Sequence, residues 1–475
     1  MPAPSVTSTT PPQIIATSTD TDVVVAGAGF TAKTTATFGG TPAKVAFVSS
    51  SMVTVTLPAS MLGAIGNLDL VLTNPPLCGS SKISLSVRSP ASLNPAGWPR
   101  HHHDNQNTSA TSSIVAPSPK LAWKKFTSAP SSGVLSEGGG FWSGPVVGRP
   151  GKSEADVVFV GAPDGTIFSF AQDGAAIYHF TGVGANVYGV DGVAAVRSDG
   201  TLYVGVSDAI LYAIKPDGTK LWSYTTGQTS DGSAAIAEDG TILYSSDDDH
   251  VYALTPDGKP LWNSAAAGEV DSALATSTQA FGTTSPILVF LGGQNGWYCL
   301  DGATGAEKWH VAATGLRGAS VSSPVIDKDG TLFGVDSGGL AVHIDGFGKV
   351  LWSKQIAAGG AGATPALVGD HLYAIGFDGI LRALKTSDGS VVWQADVKGT
   401  APSSGELPAP AVDGAGDVFV YSPDGNIHRF AADGTPKGTI AAAPALQEFV
   451  MPQLAIGFDG AIYVSGSDGN LSAFK

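Results

Sequence analysis

Cysteine is almost absent from this chain of 475 residues, which contains only Cys78 and Cys299. Two cysteines so far apart in sequence cannot build a disulfide scaffold, a CxxC redox motif or a cysteine zinc site. Charged residues are also few, at 14% of the total. The chain contains 25 Lys and Arg and 40 Asp and Glu, which gives a net charge of −15. Because the chain has no basic stripe, we exclude nucleic acid as a partner.

Long apolar runs are missing as well. The segments VVFVGA and ILVFLGG have the length of buried strands and fall short of the ~18 residues that span a bilayer. The first residues, MPAPSVTSTT, lack the basic start and apolar stretch of a signal peptide. The chain is instead rich in glycine (62) and proline (30), which is typical of many short strands joined by tight turns. At this length, two or three domains are expected.

The segment VVVAGAGFTA, residues 23–32, has the glycine spacing of a dinucleotide-binding turn. Such a turn requires a following helix and an acidic residue about 20 positions later. The next residues alternate between apolar and polar side chains, as in MVTVTL, and no Asp or Glu occurs between Asp22 and Asp69. The sequence therefore predicts strands, with Gly27 and Gly29 at a bend and Phe30 in a sandwich core.

The order of motifs in residues 1–88 resembles the IPT/TIG family. A Pro-rich opening is followed by V-x-G-x-G-F, a short F-G-G hairpin, S-x-x-V-T-V-x-L-P and a closing strand, LDLVLTNP. The resemblance implies an immunoglobulin-like β-sandwich of the kind found in cell-surface and extracellular proteins. Such domains usually act as spacers or binding modules, and none of their motif residues carries chemistry.

The rest of the chain is organised by a repeat. GTLYVGVSDAILYAIKPDGTKLWSYTTG and GTILYSSDDDHVYALTPDGKPLWNSAAAG are two successive copies. Eight copies recur about every 43 residues, the period of four-stranded propeller blades. The aromatic residues that begin the units are Phe159, Tyr203, Tyr244, Phe290, Phe333, Tyr373, Phe419 and Tyr463.

Asp-Gly pairs explain most of the acid excess. The chain contains eighteen of them, and Asp-Gly supplies the positive φ angles of two-residue hairpins. The run Asp247-Asp248-Asp249 has neither the spaced ligands nor the distal Glu of a calcium loop. We interpret these carboxylates as turn formers and not as catalytic groups.

Tryptophan recurs on the last strand of the unit, at Trp222, Trp262, Trp309, Trp352 and Trp393. A large flat ring at a fixed blade position is expected to pack between neighbouring blades. The unit Gly-x-hydrophobic-Tyr/Phe…Asp-Gly…Ala-Leu…Gly-x-x-x-Trp resembles the PQQ-like propeller repeat. That family includes bacterial outer-membrane assembly lipoproteins and quinoprotein alcohol dehydrogenases. Two units depart from it, with Tyr178 in the first and Gly438 in the seventh.

The eighth unit ends at Lys475 before its tryptophan strand, whereas LAWKKFT, residues 121–127, has that strand pattern without a unit before it. We therefore predict that the strand around Trp123 completes the eighth blade and protects an otherwise unpaired edge. The predicted domains are an Ig-like β-sandwich (1–88), a linker (89–97) and an eight-bladed β-propeller (98–475). The fold class is all-β.

Three adjacent histidines, His101, His102 and His103, precede the first blade. Neighbouring side chains in an extended segment cannot all face one ion, so a hydrogen-bonded His103–Asp104 pair is favoured over a metal site. Residues 98–108 also resemble the W-x-x-x-x-H-D-x-x-N-T segment that often precedes the first blade of the PQQ-like family.

Three classes of function remain. A PQQ- and calcium-dependent dehydrogenase is disfavoured, because that family's enzymes place two adjacent cysteines over the quinone and this chain has none. A carbohydrate-binding surface protein is a second alternative, because IPT/TIG domains occur in surface proteins. The favoured prediction is a non-catalytic binding or architectural protein, outside the cytoplasm or on a surface, with a protein or glycan partner and no membrane span. No catalytic, cofactor-binding or metal residue is assigned.

The predicted binding face lies in the loops that lead from each tryptophan strand into the next blade. Most of its acids are outside Asp-Gly pairs, so turn formation does not account for them. We expect this acidic rim to favour a basic partner segment or a cation such as calcium. Its residues are Glu137, Trp142, Asp231, Glu269, Asp271, Arg317, Glu406 and Glu448.

Overall fold

The structure is a computed structural model. It describes residues 3–10, 13–15, 20–62, 66–75, 80–88, 98–126, 143–150, 155–162, 164–181, 189–190, 192–228, 232–265, 268, 270–279, 287–315, 318–319, 322–357, 360–361, 363–397, 408–422, 424–442, 453–466 and 468–475. The chain divides into two compact units, Met1–Ala91 and Ser92–Lys475. The predicted linker, 89–97, lies outside the described residues.

The first unit is an Ig-like arrangement of eight strands in the pairing order β1-β3-β6-β5-β4-β7-β8-β2. The strands are β1 (Ser5–Thr10), β2 (Gln13–Ile15), β3 (Thr21–Ala28), β4 (Thr35–Phe38), β5 (Thr41–Ser49), β6 (Met52–Leu57), β7 (Gly66–Thr73) and β8 (Ser80–Arg88), with one short helix, α1 (Ala59–Leu62). In β6 the alternation foreseen from MVTVTL buries Val53, Val55 and Leu57. This period of two gives the unit its own core.

Of the two glycines predicted at a bend, Gly29 follows the end of β3, whereas Gly27 lies within that strand, where close packing of the neighbouring strand requires it. Gly27 pairs with Val6 of β1, and a Cβ at Gly27 would overlap the carbonyl oxygen of Ser5. Gly29 has a φ of 76°, which a glycine adopts without strain. Phe30 is 3% exposed in the core, and the next element is the strand β4. A phosphate-binding turn at this site is therefore excluded, because no helix follows it.

The second unit is an eight-bladed propeller of four-stranded antiparallel sheets. Blades 1 to 4 are β10 (Val146–Gly148), β11 (Val157–Gly161), β12 (Ile167–Ala171), β13 (Ala176–Phe180); β14 (Ala195–Val196), β15 (Leu202–Val206), β16 (Ile210–Ile214), β17 (Lys220–Thr225); β18 (Ala235–Ile236), β19 (Ile242–Ser246), β20 (His250–Leu254), β21 (Pro260–Ala265); and β22 (Ala275–Ser277), β23 (Leu288–Gly293), β24 (Gly296–Asp301), β25 (Glu307–Ala312).

Blades 5 to 8 follow the same order from the innermost to the outermost strand. They are β26 (Val325–Ile326), β27 (Leu332–Val335), β28 (Leu340–Ile344), β29 (Val350–Gln355); β30 (Ala366–Val368), β31 (His371–Ile375), β32 (Ile380–Lys385), β33 (Val391–Asp396); β34 (Ala411–Val412), β35 (Val418–Tyr421), β36 (Asn426–Phe430), β37 (Pro436–Ala441); and β38 (Leu454–Ile456), β39 (Ile462–Ser465), β40 (Asn470–Phe474), β9 (Leu121–Phe126). In blade 8 the outermost strand therefore comes from the N-terminal side, where Trp123 pairs with Ala473.

Each outermost strand carries a β-bulge against its neighbour, just before the position that holds tryptophan in most blades. A bulge twists a strand and interrupts its pairing. The outer edges of the blades are thereby poor templates for further strands, which limits edge-to-edge association.

The indole rings join neighbouring blades, as predicted. Each ring packs on a glycine in the turn before the outermost strand of the next blade, and its Nε1–H donates to a carbonyl oxygen of that turn. The pairs are Trp123 to Gln172, Trp222 to Pro256, Trp262 to Gly302, Trp309 to Gly346, Trp352 to Thr386 and Trp393 to Ala432, at 2.7–3.0 Å. Tyr178 takes the same place over Gly218.

The departure at Gly438 has a structural reason. Blade 8 has no turn between its third and fourth strands, because those strands come from opposite ends of the propeller sequence. Lys120 and Lys475 meet there through two backbone hydrogen bonds of 2.7 and 2.9 Å. An indole at position 438 would therefore lack the turn carbonyl that accepts the Nε1–H elsewhere.

Replacing Gly258 with Ala tests the blade junction. Gly258 has a φ of +80°, and an added Cβ would lie 2.7 Å from the ring of Trp222. Gly416 is a matched control, because its φ is +82° and the nearest atom to an added Cβ is 3.8 Å away. We expect Gly258→Ala to lower the free energy of unfolding by ~1–3 kcal/mol more than Gly416→Ala. Urea denaturation followed by circular dichroism measures the difference, and equal losses would contradict the junction model.

Candidate functional site: the segment that crosses the central channel

Residues 98–116, the channel segment, bond in turn to the innermost strands or adjoining turns of blades 1, 2, 4, 5, 6 and 7. The backbone pairs, in blade order, are Trp98–Val147, Pro99–Val196, Asn105–Thr276, Gln106–Ile326, Thr108–Leu367, Ser109–Val412 and Ser113–Gly414, at 2.7–2.9 Å. Side chains reach the remaining two blades: Gln106 donates to Glu238 in blade 3 (3.2 Å) and Ser113 to Phe458 O in blade 8 (3.2 Å). The segment therefore touches all eight blades.

His101 shows that this segment occupies the channel itself. Its Nδ1 lies 3.1 Å from Ser233 Oγ of blade 3 and its Nε2 lies 3.2 Å from Gln453 Oε1 of blade 8. These blades are separated by two others, so a ring that bridges them must lie on the inner side of the sheets. Asn107 similarly donates to Ala273 O (3.2 Å) and Pro324 O (2.9 Å), at the starts of blades 4 and 5.

The backbone of the channel segment is strained. His102, His103, Asn107 and Ser109 have φ angles of 57°, 78°, 56° and 53°. Left-handed backbone costs a residue with a side chain roughly 1–2 kcal/mol. Such strain persists only where surrounding contacts fix the conformation. The hydrogen bonds to the ring of blades provide that constraint.

Arg100 is completely buried in the segment. Its Nη2 donates to Leu274 O and its Nη1 lies 3.5 Å from Asn105 Oδ1. Burial lowers its pKa to about 10, and the negative charges of Asp104 and Glu238 oppose that shift. The guanidinium is therefore charged at neutral pH, and it holds blade 4 by a charge-assisted bond to a carbonyl oxygen.

Burial and hydrogen bonds also shift the pKa values of His101, His102 and Asp104. Burial lowers the pKa of His101 to about 3 and that of His102 well below its ordinary value, so both rings are neutral. Burial also opposes ionisation of Asp104, but hydrogen bonds from His103 and Thr108 prevail and lower its pKa. The predicted His103–Asp104 pair is confirmed, at 3.3 Å.

The end of the channel segment is fixed to blade 7 by a buried ion pair. Arg429 Nε donates to Asp417 Oδ2 (2.7 Å), and its Nη1 donates to Ala116 O (2.6 Å). Asp413 Oδ2 accepts the amide of Val115 (3.0 Å). This geometry positions the chain for its return to the outermost strand of blade 8.

The predicted acidic rim falls almost entirely outside the described residues. Glu137, Trp142, Asp231, Glu269, Arg317, Glu406 and Glu448 belong to that part of the chain. Asp271 is described, and it is partly buried four residues before β22. Its neighbour Ser272 donates to Gly292 O (2.8 Å) and fixes this approach to the channel. The run Asp247–Asp249 is a turn, as predicted, with a φ of 66° at Asp249.

Sequence reasoning did not assign the channel segment its role as the axis of the propeller. The available signal was the run RHHHDNQNT, a cluster of polar side chains without strand alternation in a chain that is otherwise poor in charge. Buried polar groups need hydrogen-bond partners, and here the innermost strands of the blades and the residues next to them supply these partners.

An eight-bladed propeller of PQQ-like repeats, with a polar segment across its channel, is the class that fold and site define. The family model described as outer membrane protein assembly factor BamB matches residues 207–379 and, in a second overlapping match, 247–475. Because these matches cover more than half of the chain, the chain belongs to that family. Residues 4–87 match the IPT/TIG domain, so the N-terminal unit is of that type.

A curated relative is the outer membrane protein assembly factor BamB of Moranella endobia (strain PCIT), which is 27% identical over 112 residues. That alignment covers 21% of this chain and only 28% of the relative. The solved structure of BamB from Moraxella catarrhalis has a TM-score of 0.56 at 16% identity and covers 75% of this chain and 98% of that one. Quinohemoprotein alcohol dehydrogenase from Comamonas testosteroni gives 0.58 at 14% identity, over 81% of each chain. At these identities the structural likeness shows the fold alone.

Candidate metal ligands are not clustered in the described residues. Among them, no group of three His, Cys, Asp or Glu could hold a metal ion. The thiol of Cys299 is buried inside blade 4, where burial raises its pKa to about 12. In the described part of the chain, no helix is long and apolar enough to cross a membrane.

The buried histidines predict that the propeller loses stability in acid. Between about pH 6.5 and pH 3, His101 is unprotonated in the folded protein and protonated in the unfolded chain. The free energy of unfolding should therefore fall as the pH drops through this window, by up to ~1.4 kcal/mol per pH unit for each such histidine.

Urea denaturation across this pH range measures the slope in the wild type and in His101→Asn. The variant should show a shallower slope, whereas His310→Gln, which changes a histidine whose side chain is 56% exposed, should keep the wild-type slope. An unchanged slope in His101→Asn would contradict the assignment.

Proposed function

We propose that this protein is a non-catalytic binding and architectural protein that acts outside the cytoplasm and presents its propeller to a protein partner. The proposal is supported by the channel segment. The innermost strands of the ring form hydrogen bonds with the backbone of this segment. Its buried side chains Arg100 and His101 bond to residues next to those strands. We therefore assign the described part of the channel to stabilising the propeller, and partner binding to the rims and the outer surface.

Family membership supports a protein partner. The matching family and the curated relative are described as assembly factors for an outer membrane protein. The same description supports a location outside the cytoplasm. These are properties of the relatives, and they enter here only as support for the proposal.

We further propose that the acidic rim is one contact surface for this partner. Each of its eight residues precedes the innermost strand of a blade in sequence. The first structural unit contains three acidic and four basic residues, so the excess acid belongs to the propeller. A focused negative potential favours a basic segment or a cation and accelerates its encounter.

The absence of catalysis is tested by adding PQQ and calcium to the full chain. We expect no alcohol-dependent reduction of a redox dye above the level of PQQ and calcium alone, and no quinone absorbance after desalting. Alcohol oxidation that requires the protein would overturn the proposal in favour of a quinoprotein dehydrogenase.

The rim is tested by a triple variant, Glu269→Gln, Asp271→Asn and Glu406→Gln. We expect at least a tenfold weaker affinity for a lysine-rich peptide, or for calcium, in isothermal titration at low salt, because rim charges act through long-range attraction. Glu307→Gln removes one exposed acid on the outermost strand of blade 4 and should leave the affinity unchanged. Equal binding by the triple variant and the wild type would show that the acidic rim is not a contact surface. A specific signal on a glycan array would favour a carbohydrate as the partner instead.

A further inference from the structure

Three polar atoms inside the channel segment have no hydrogen-bond partner among the described residues. They are Arg100 Nε, His102 Nε2 and Asn107 Oδ1. The residues that carry them are 0%, 2% and 0% exposed, so bulk solvent does not reach these atoms. Buried polar groups in folded proteins are nearly always hydrogen-bonded, either to protein or to ordered water. Three such atoms in one short segment therefore indicate a bound molecule that supplies the partners.

Arg100 and Asn107 are anchored on the same part of blade 4. Arg100 Nη2 donates to Leu274 O, and Asn107 Nδ2 donates to the preceding carbonyl oxygen, Ala273 O (3.2 Å). Asn107 Nδ2 also donates to Pro324 O (2.9 Å). These two bonds fix the orientation of the amide, which leaves Oδ1 as an acceptor. An unused donor on Arg100 and an unused acceptor on Asn107 thus belong to side chains that bond to consecutive residues.

His102 belongs to the same cluster. Its ring stacks on that of His101, with 3.6 Å between the centroids. Burial mainly, and to a smaller extent the nearby charge of Arg100, lower the pKa of both rings. The amide of Ser109 donates to His102 O (3.0 Å) and closes the loop that contains Asn107. Ser109 Oγ lies 3.3 Å from His102 Nδ1, so Nε2 is the ring nitrogen that still needs a partner.

The charges and atom types of this cluster favour a neutral ligand. Asp104 and Glu238 lie close enough to raise the pKa of Arg100 against the larger, opposite effect of burial. Two carboxylates already outnumber the one guanidinium, so a further anion would be repelled. Asn107 Oδ1 cannot donate to an anion, and the Nε–H of Arg100 cannot ligate a metal ion. Water both donates and accepts, and a buried water molecule typically makes about three hydrogen bonds.

We propose that the channel segment binds internal water, as a single molecule or a hydrogen-bonded pair, which accepts from Arg100 Nε–H, donates to Asn107 Oδ1 and bonds to His102 Nε2. Because all three atoms are buried, this water exchanges with bulk solvent only when the segment opens. It completes the hydrogen bonds of the segment that contacts all eight blades. The inference is independent of the proposed binding function, because it concerns the interior of the propeller and not its rims.

A high-resolution crystal structure of the full-length protein, from crystals grown with sodium bromide, tests the site directly. We expect a density peak without anomalous signal within about 3.2 Å of both Arg100 Nε and Asn107 Oδ1. His102 Nε2 should contact the same peak or a second one bonded to it. An anomalous bromide peak would identify an anion and overturn the proposal. The lack of any peak between these side chains would overturn it as well.

The variant Arg100→Lys tests the site in solution. Lysine keeps the positive charge and a donor, but it has a methylene group in place of Nε–H. Oxygen-17 relaxation dispersion detects long-lived internal water, and its amplitude should fall in Arg100→Lys by the contribution of at least one molecule. Arg197→Lys is the matched control, since it makes the same change at an arginine that pairs with Asp199 (3.4 Å) in the turn after β14. It should keep the wild-type amplitude.

An unchanged amplitude in folded Arg100→Lys would contradict the site, and so would an equal loss in Arg197→Lys. Circular dichroism shows whether each variant is folded. If Arg100→Lys does not fold, the crystal structure of the wild type still decides, because it requires no substitution. Neither measurement involves a partner, so a failure of the proposed binding function leaves both results unaffected.

Discussion

The contact between an indole and the glycine turn of the next blade is the interaction on which the ring depends. The φ of about +80° at the turn glycine brings the backbone under the ring, where a Cβ would lie within 3 Å of the indole. The indole then donates to a carbonyl oxygen that the tight turn leaves without a partner in its own sheet. Turn and indole therefore require each other. This explains why Asp-Gly recurs with Trp, and why Gly438 replaces the indole at the junction where blade 8 has no turn to receive it.

The channel segment solves the second problem of a propeller, the space where eight sheets converge. Adjacent blades fix only their nearest neighbours, whereas His101 joins blades 3 and 8 directly. The left-handed residues of the segment raise its energy, and Arg100 is buried at a desolvation cost. Both are tolerated because bonds to all eight blades fix the segment and offset the strain. Joining β9 to β40 then ties the same segment to the outer circumference.

The features that could be predicted from the sequence are those that have copies within it. Tyr203, Trp222 and the turn at Asp217-Gly218 recur with a fixed spacing, so the all-β class, the propeller and the role of the indoles follow from periodicity. The channel segment has no internal copy, and its partners are remote: Arg100 meets Leu274 and His101 meets Gln453. Hydrogen bonds across such sequence separations leave no local pattern. The acidic rim has no periodic constraint either, and only Asp271 among its residues is described, so it stays a prediction.

In a repeat protein the shared residues explain the fold, so evidence for function is best sought where a repeat departs from its copies without a structural reason. Gly438 departs because the junction beside it lacks a turn, and Tyr178 departs while keeping the contact with Gly218. Most of the acids that make the chain negative are turn formers with their oxygens already used, as at Asp217 and Asp433. At Phe347 the repeat loses the Asp before the junction glycine, and Asp345 instead accepts the amides of Phe347 and Lys349. The carboxylate two residues earlier therefore replaces the missing Asp of this turn, and the departure at position 347 preserves the turn as the departure at Tyr178 preserves the junction.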